Sequence, residues 1–105
     1  MYLEDILKSI RLVNNYSKRG YAFFKKNISN QDAIVRRVEI IGEAIKNVPV
    51  ETKKKYKNIE WKKFEGIRNF IIHVYFGINI DRVWKLIKND LPTLEEQMKA
   101  IKKDF

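Results

Sequence analysis

The stretch that decides the fold is residues 80–105, IDRVWKLIKNDLPTLEEQMKAIKKDF. Ile80, Trp84, Ile87, Leu91, Leu94, Met98, Ile101 and Phe105 follow one another at alternating steps of four and three, which keeps one face of a helix apolar throughout. Pro92 falls inside the segment, so the helix is expected to kink there or to break into two pieces with the same facing. The same period recurs upstream. Ile34, Val38, Ile41, Ile45 and Val48 predict a long helix stopped at about Asn47 by Pro49, with Ser29 or Asn30 as its cap. Leu3, Ile6, Leu7, Ile10 and Val13 predict a helix from about Tyr2 to Ser17, interrupted at Gly20, with Tyr21 to Lys26 as a further short piece. Trp61, Phe64, Ile67, Ile71 and Val74 mark a third long helix that ends near His73 to Phe76. Gly77-Ile78-Asn79 would form its exit turn and Asp81 the next cap.

These stripes read as core. With short connections between them they imply an all-α, antiparallel bundle of four to five helices forming one domain over residues 1–105. Composition agrees: 45% of the 105 residues are hydrophobic, and four glycines and two prolines suit helices better than a turn-rich β fold. The absence of cysteine excludes disulfides, thiolate metal sites and cysteine nucleophiles, and the single histidine, His73, excludes a histidine-rich metal cluster within one chain. No apolar run approaches the roughly 20 residues that span a bilayer, and the N-terminus lacks the pattern of a secretion signal, so a cytoplasmic protein without membrane association is expected.

Twenty-two basic residues against 13 acidic ones give a formal charge of +9, which points to a polyanionic partner. Charge is densest at Lys53, Lys54, Lys55 and Lys57, extended by Lys62 and Lys63. The run is either a solvated surface turn or a patch that attracts a phosphate backbone without reading its sequence.

The polar constellation lies in residues 66–75, GIRNFIIHVY. Setting Arg68 at 0° on a regular helix puts Tyr75 at about −20°, Asn69 at about 100° and His73 at about 140°, while Phe64, Ile67, Phe70, Ile71 and Val74 occupy an arc from about 200° to 320°. All four polar groups leave the core face together. Arg68 and His73 diverge by about 140° and about 7.5 Å of rise, too far for a tight pair on one helix. Two copies meeting about a two-fold axis would bring two arginines and two histidines into one cleft. Such a cleft suits RNA cleavage by the 2′-hydroxyl, which needs a base, an acid for the leaving 5′-oxygen and positive charge on the phosphorane. Gly66 would let a partner backbone or a substrate approach, or is simply a weak point in the helix. Taken residue by residue, a structural histidine, a hydrogen-bonded asparagine and a boundary tyrosine explain the same pattern.

Arg68-Asn69-Phe70-Ile71-Ile72-His73-Val74-Tyr75 resembles the Arg-Asn-x-x-x-His-x-Tyr motif of the HepT-like toxins of the HEPN superfamily. The similarity extends through Tyr2-Leu3-Glu4-Asp5-Ile6, Ile41-Gly42-Glu43-Ala44, Trp61, Gly66, Gly77-Ile78 and Asn89-Asp90-Leu91-Pro92, with Ile67 where members often carry methionine. The resemblance implies a HEPN-like bundle, a homodimer with a composite cleft, and metal-independent endoribonuclease activity needing no cofactor. By motif position Arg68 and His73 would be catalytic and Asn69 would support them. It further implies a type VII toxin–antitoxin pair whose minimal nucleotidyltransferase antitoxin transfers AMP from ATP to Tyr75. A catalytically silent partner or substrate of that nucleotidyltransferase is the alternative, and a non-catalytic nucleic-acid binder a third.

Overall fold

Glu4 and Asp5 in its first turn favour helix α1, Tyr2–Tyr16, by complementing the helix dipole, and Leu3, Ile6, Leu7, Ile10 and Val13 are buried along one side. The structure is a computed structural model that describes the backbone of residues 2–76 and 79–104 and, within these, every side chain except those of residues 72–76. Helix α1 stops one residue short of Ser17, which opens a 3₁₀ turn over Ser17–Arg19. Gly20 follows with φ 90°, a conformation that residues carrying a Cβ rarely adopt, and this fixes the interruption there.

Helix α2 spans Tyr21–Lys26 and α3 spans Ile28–Lys46. The cap of α3 is Asn27, not Ser29 or Asn30 as expected. Asn27 has the extended backbone a cap requires, φ −114° and ψ 107°, and its side-chain oxygen accepts the Asn30 N–H at 2.7 Å, whereas Ser29 and Asn30 are already helical. Replacing Asn27 by alanine is expected to cost about 1 kcal/mol. Thermal unfolding should show a midpoint lower by about 4–8 °C.

Beyond Pro49 comes a short helix, α4 (Val50–Lys55), then α5 (Trp61–Glu65), α6 (Ile67–Phe76) and α7 (Ile80–Lys85). The expected third long helix is therefore two helices. Gly66, at φ −80° and ψ −3°, separates them, yet its N–H still reaches Lys62 O at 3.1 Å and its carbonyl accepts from Phe70 N at 3.0 Å, so the chain bends without losing its ladder. Asn79 caps α7 by accepting from Arg82 N at 3.4 Å; Asp81, the expected cap, lies in the first turn and accepts from the Tyr21 hydroxyl. Gly77 and Ile78 of the expected exit turn lie outside the described residues.

The C-terminal segment is divided near Pro92 into pieces that keep the same facing, as expected. A π-helical turn over Leu86–Asp90 precedes α8, Leu91–Lys103, and Pro92 sits in the first turn of α8. The π turn runs directly into α8, with the Leu91 N–H bonded to Leu86 O, and its wider backbone makes room for the Pro92 ring against the preceding carbonyls. Leu86, Ile87, Leu91, Leu94, Met98 and Ile101 remain buried across the junction, while Ile80 and Trp84 are only partly buried and Val83 takes the inward place in α7.

Polar contacts at the helix ends set the directions. Asn30 Nδ2 donates to Tyr16 O at 2.8 Å, tying the start of α3 to the end of α1, while Tyr2 pairs with Thr52 at 3.4 Å beyond the end of α3. Helices α1 and α3 are thus antiparallel. Lys102 meets Glu4 at 2.9 Å and Tyr56 donates to Asp104 at 2.5 Å, so α8 ends where α1 begins. Ile67 and Arg68 open α6 beside Gly42 and Glu43 in the second half of α3. The four long helices α1, α3, α6 and α8 form an all-α antiparallel bundle around one apolar cluster, and the short helices are its connections.

Candidate active site

Helix α6 carries the polar motif, and α3 decides where α6 lies. Gly42 is buried in α3, and a Cβ placed on it would lie 2.7 Å from Ile67 Cγ2 and 3.2 Å from Arg68 N. The missing side chain is what allows the two helices to touch here. The next residue of α3, Glu43, is exposed and places Oε1 3.2 Å from Arg68 Nη1. Arg68 and Asn69 are both exposed on the first turn of α6, as their helical angles predicted. His73 and Tyr75 belong to the same helix by backbone; their side chains, like that of Val74, lie outside the described residues.

Arg68 also lines an open groove of about 290 Å³ with Arg36, Glu39, Ile40 and Glu43 of α3. Of these α3 residues the sequence singled out only Glu43, within the stretch that resembles the family, and gave it no role. Their spacing could have shown that Arg36, Glu39 and Glu43 share one polar stripe of that helix, but not that the stripe meets Arg68. On the other flank of α6, Phe64, Ile67, Phe70 and Leu86 floor an apolar hollow rimmed by Lys63 and Asp90. The Arg82 guanidinium stands 5.4 Å from the Phe70 ring centre there.

The lysine run divides. Lys53 forms an ion pair with Glu65 and reaches Lys46 O at 3.4 Å, which binds α4 to α5 and to the end of α3. Lys63 pairs with Asp90 at 3.0 Å, and this carboxylate holds the ammonium above its ordinary pKa, so it stays charged at all physiological pH. Lys55 lies 5.5 Å from the Tyr56 ring centre. Lys54, Lys57 and Lys62 are exposed. Among the described residues, no helix is long and apolar enough to cross a membrane, and no three His, Cys, Asp or Glu side chains are gathered as for a metal ion.

An all-α bundle that presents an arginine and an asparagine on the exposed side of its motif helix is the scaffold expected of the family that the sequence resembles. The chain belongs to the HepT-like ribonuclease family: the family model described as "Ribonuclease HepT-like" matches residues 6–101. It is 35% identical over 103 residues to "Probable ribonuclease HepT" of Thermococcus cleftensis, covering 97% of this chain and 94% of that protein. It is 40% identical over 101 residues to "Putative RNase TTE0752" of Caldanaerobacter subterraneus subsp. tengcongensis, covering 95% and 90%. It is 42% identical over 107 residues to "Gamma-glutamylcyclotransferase and putative RNase MJ0434" of Methanocaldococcus jannaschii, where the whole chain spans 48% of the longer protein. No solved structure matches the chain significantly.

Proposed function

We propose that this protein is the toxin of a type VII toxin–antitoxin pair, a metal-independent endoribonuclease that acts as a homodimer of single-domain chains in the cytoplasm. The observation that carries the reading is the exposed Arg68 and Asn69 at the head of α6, with Arg68 held across the helix contact by Glu43. In this mechanism His73 takes the proton of a ribose 2′-hydroxyl as its oxygen attacks the adjacent phosphorus. The bond to the 5′-oxygen breaks as that oxygen takes a proton from solvent water, and the proton held by His73 neutralises the hydroxide left behind, so that each site uses one arginine and one histidine. The products are a 2′,3′-cyclic phosphate and a free 5′-hydroxyl. Arg68 stabilises the charge that builds on the phosphorane, because its planar fork stays protonated and matches phosphate oxygens. Asn69 supports the pair by hydrogen bonding, and Lys54, Lys55, Lys57 and Lys62, with the ion-paired Lys53 and Lys63 behind them, draw in the RNA backbone.

Neutralisation would act on the same arginine, since the helical angle of Tyr75 falls within about 20° of that of Arg68. A minimal nucleotidyltransferase would direct the Tyr75 oxygen onto the α-phosphorus of ATP, releasing pyrophosphate and leaving AMP on the tyrosine. The added phosphate, on the Arg68 edge of α6, would occupy the arginine and repel RNA.

With chelator present, the wild-type protein is expected to convert RNA to fragments ending in 2′,3′-cyclic phosphate, and His73→Ala to lower the rate about 10²–10³-fold. Wild-type cleavage by His73→Ala would overturn the catalytic reading, as would a monomer at micromolar concentration in sedimentation for the composite cleft. Incubation with a minimal nucleotidyltransferase and ATP should add the mass of AMP to wild-type protein but not to Tyr75→Phe. AMP addition without any RNA cleavage by the free protein favours the silent-partner reading instead.

A further inference from the structure

We infer that Glu43 is a positioning residue for Arg68, fixing the guanidinium from the neighbouring helix so that a phosphate meets an arginine already aimed. The inference rests on the reading of Arg68 as the group that stabilises phosphorane charge. Glu43 Oε1 lies 3.2 Å from Arg68 Nη1, and both side chains are about half exposed, at 49% and 48%. An ion pair that open to water contributes little to stability, so holding the fold together does not account for it. Its location does. Glu43 directly follows Gly42, where α3 comes so close to α6 that an added Cβ would lie 3.2 Å from Arg68 N.

An unrestrained arginine spreads over many rotamers, and each phosphate encounter would have to select the productive one. A carboxylate on Nη1 removes that search and leaves Nε and Nη2 free to donate to a phosphate. Arg36 and Glu39 line the same groove beside Arg68 and Glu43, so the groove as a whole is balanced between two cations and two anions. Such balance keeps the empty site from clamping bulk anions while leaving Arg68 presented outward.

The test compares Glu43→Ala and Glu43→Gln in the full chain. Glu43→Ala is expected to lower kcat for RNA cleavage about tenfold to a hundredfold with KM little changed, the pattern of a misaimed group that acts in the transition state. Glu43→Gln, which keeps an oxygen acceptor for Nη1, is expected to retain most of the activity. Both should unfold close to the wild-type temperature. An unchanged or raised kcat in Glu43→Ala overturns the inference, the raised value showing that Glu43 restrains Arg68 instead of aiming it. A second measurement needs no nuclease activity. Nitrogen NMR of the Arg68 guanidinium should show slowed rotation in the wild type and free rotation in Glu43→Ala; free rotation in both overturns the inference. Slowed rotation in a protein that cleaves no RNA would instead sink the ribonuclease reading alone.

Discussion

Mixing equal amounts of Arg68→Ala and His73→Ala chains is expected to restore about a quarter of wild-type RNA cleavage, although each variant alone should fall about 10²–10³-fold. The expectation comes from helix geometry. Arg68 and His73 lie on one helix about 140° apart, so a site that needs both draws its arginine from one chain and its histidine from the partner. Random pairing makes half the dimers mixed, and each mixed dimer contains one intact combination out of two. The measurement is a cleavage rate after joint refolding, with separately refolded and then pooled variants as the control. No recovery in the refolded mixture would show that arginine and histidine act from the same chain.

Gly42→Ala should destabilise the fold markedly by adding a single methyl group. The new Cβ would meet Ile67 Cγ2 at 2.7 Å and Arg68 N at 3.2 Å. Neither can step aside, since one is backbone and the other is a β-branched methyl with a single favoured rotamer on a helix, on a side chain only 2% exposed. Overpacking of this kind costs about 1–3 kcal/mol, and each kcal/mol lowers the melting temperature by about 4–8 °C in a domain of this size. Helix α6 would also move outward and take Arg68 away from Glu43, so cleavage should fall further than the loss of folded protein accounts for. Gly66→Ala is the internal contrast. A Cβ there meets only Lys62 O at 3.5 Å and Lys63 O at 3.7 Å, ordinary contacts, and φ is −80°. Its melting temperature should equal or exceed that of the wild type. Wild-type stability in Gly42→Ala would mean that α3 and α6 are not as tightly apposed as the structure has them.

Periodicity made the bundle legible. Every apolar position from Ile34 to Val48 that sets the four-and-three pattern is buried, and so are Leu91, Leu94, Met98 and Ile101. What periodicity does not encode is the backbone angle at a helix end. Asn27 displaced Ser29 and Asn30 as a cap, and Asn79 displaced Asp81, because capping depends on which polar residue is left extended just outside the first turn. The π turn before Pro92 was hidden for a similar reason: a widened turn keeps the hydrophobic face nearly continuous. At the candidate site, the exposure of Arg68 and Asn69 could be read from the angles along one helix. The Glu43 contact could not, since it joins residues 25 positions apart, and neither could the pairing of Lys53 with Glu65 and Lys63 with Asp90.

Those two ion pairs bear on when the motif helix takes its place. Helix α5 has five residues, too few to hold a helix alone, and it is strapped by Lys53 from before it and by Asp90 from the π turn after it. The flank of α6 behind it is closed by Leu86 of that same turn. A chain emerging from the ribosome therefore carries the α3 surface that receives Arg68 before the motif is made, and the Leu86 and Asp90 side that closes the other flank of α6 only after it.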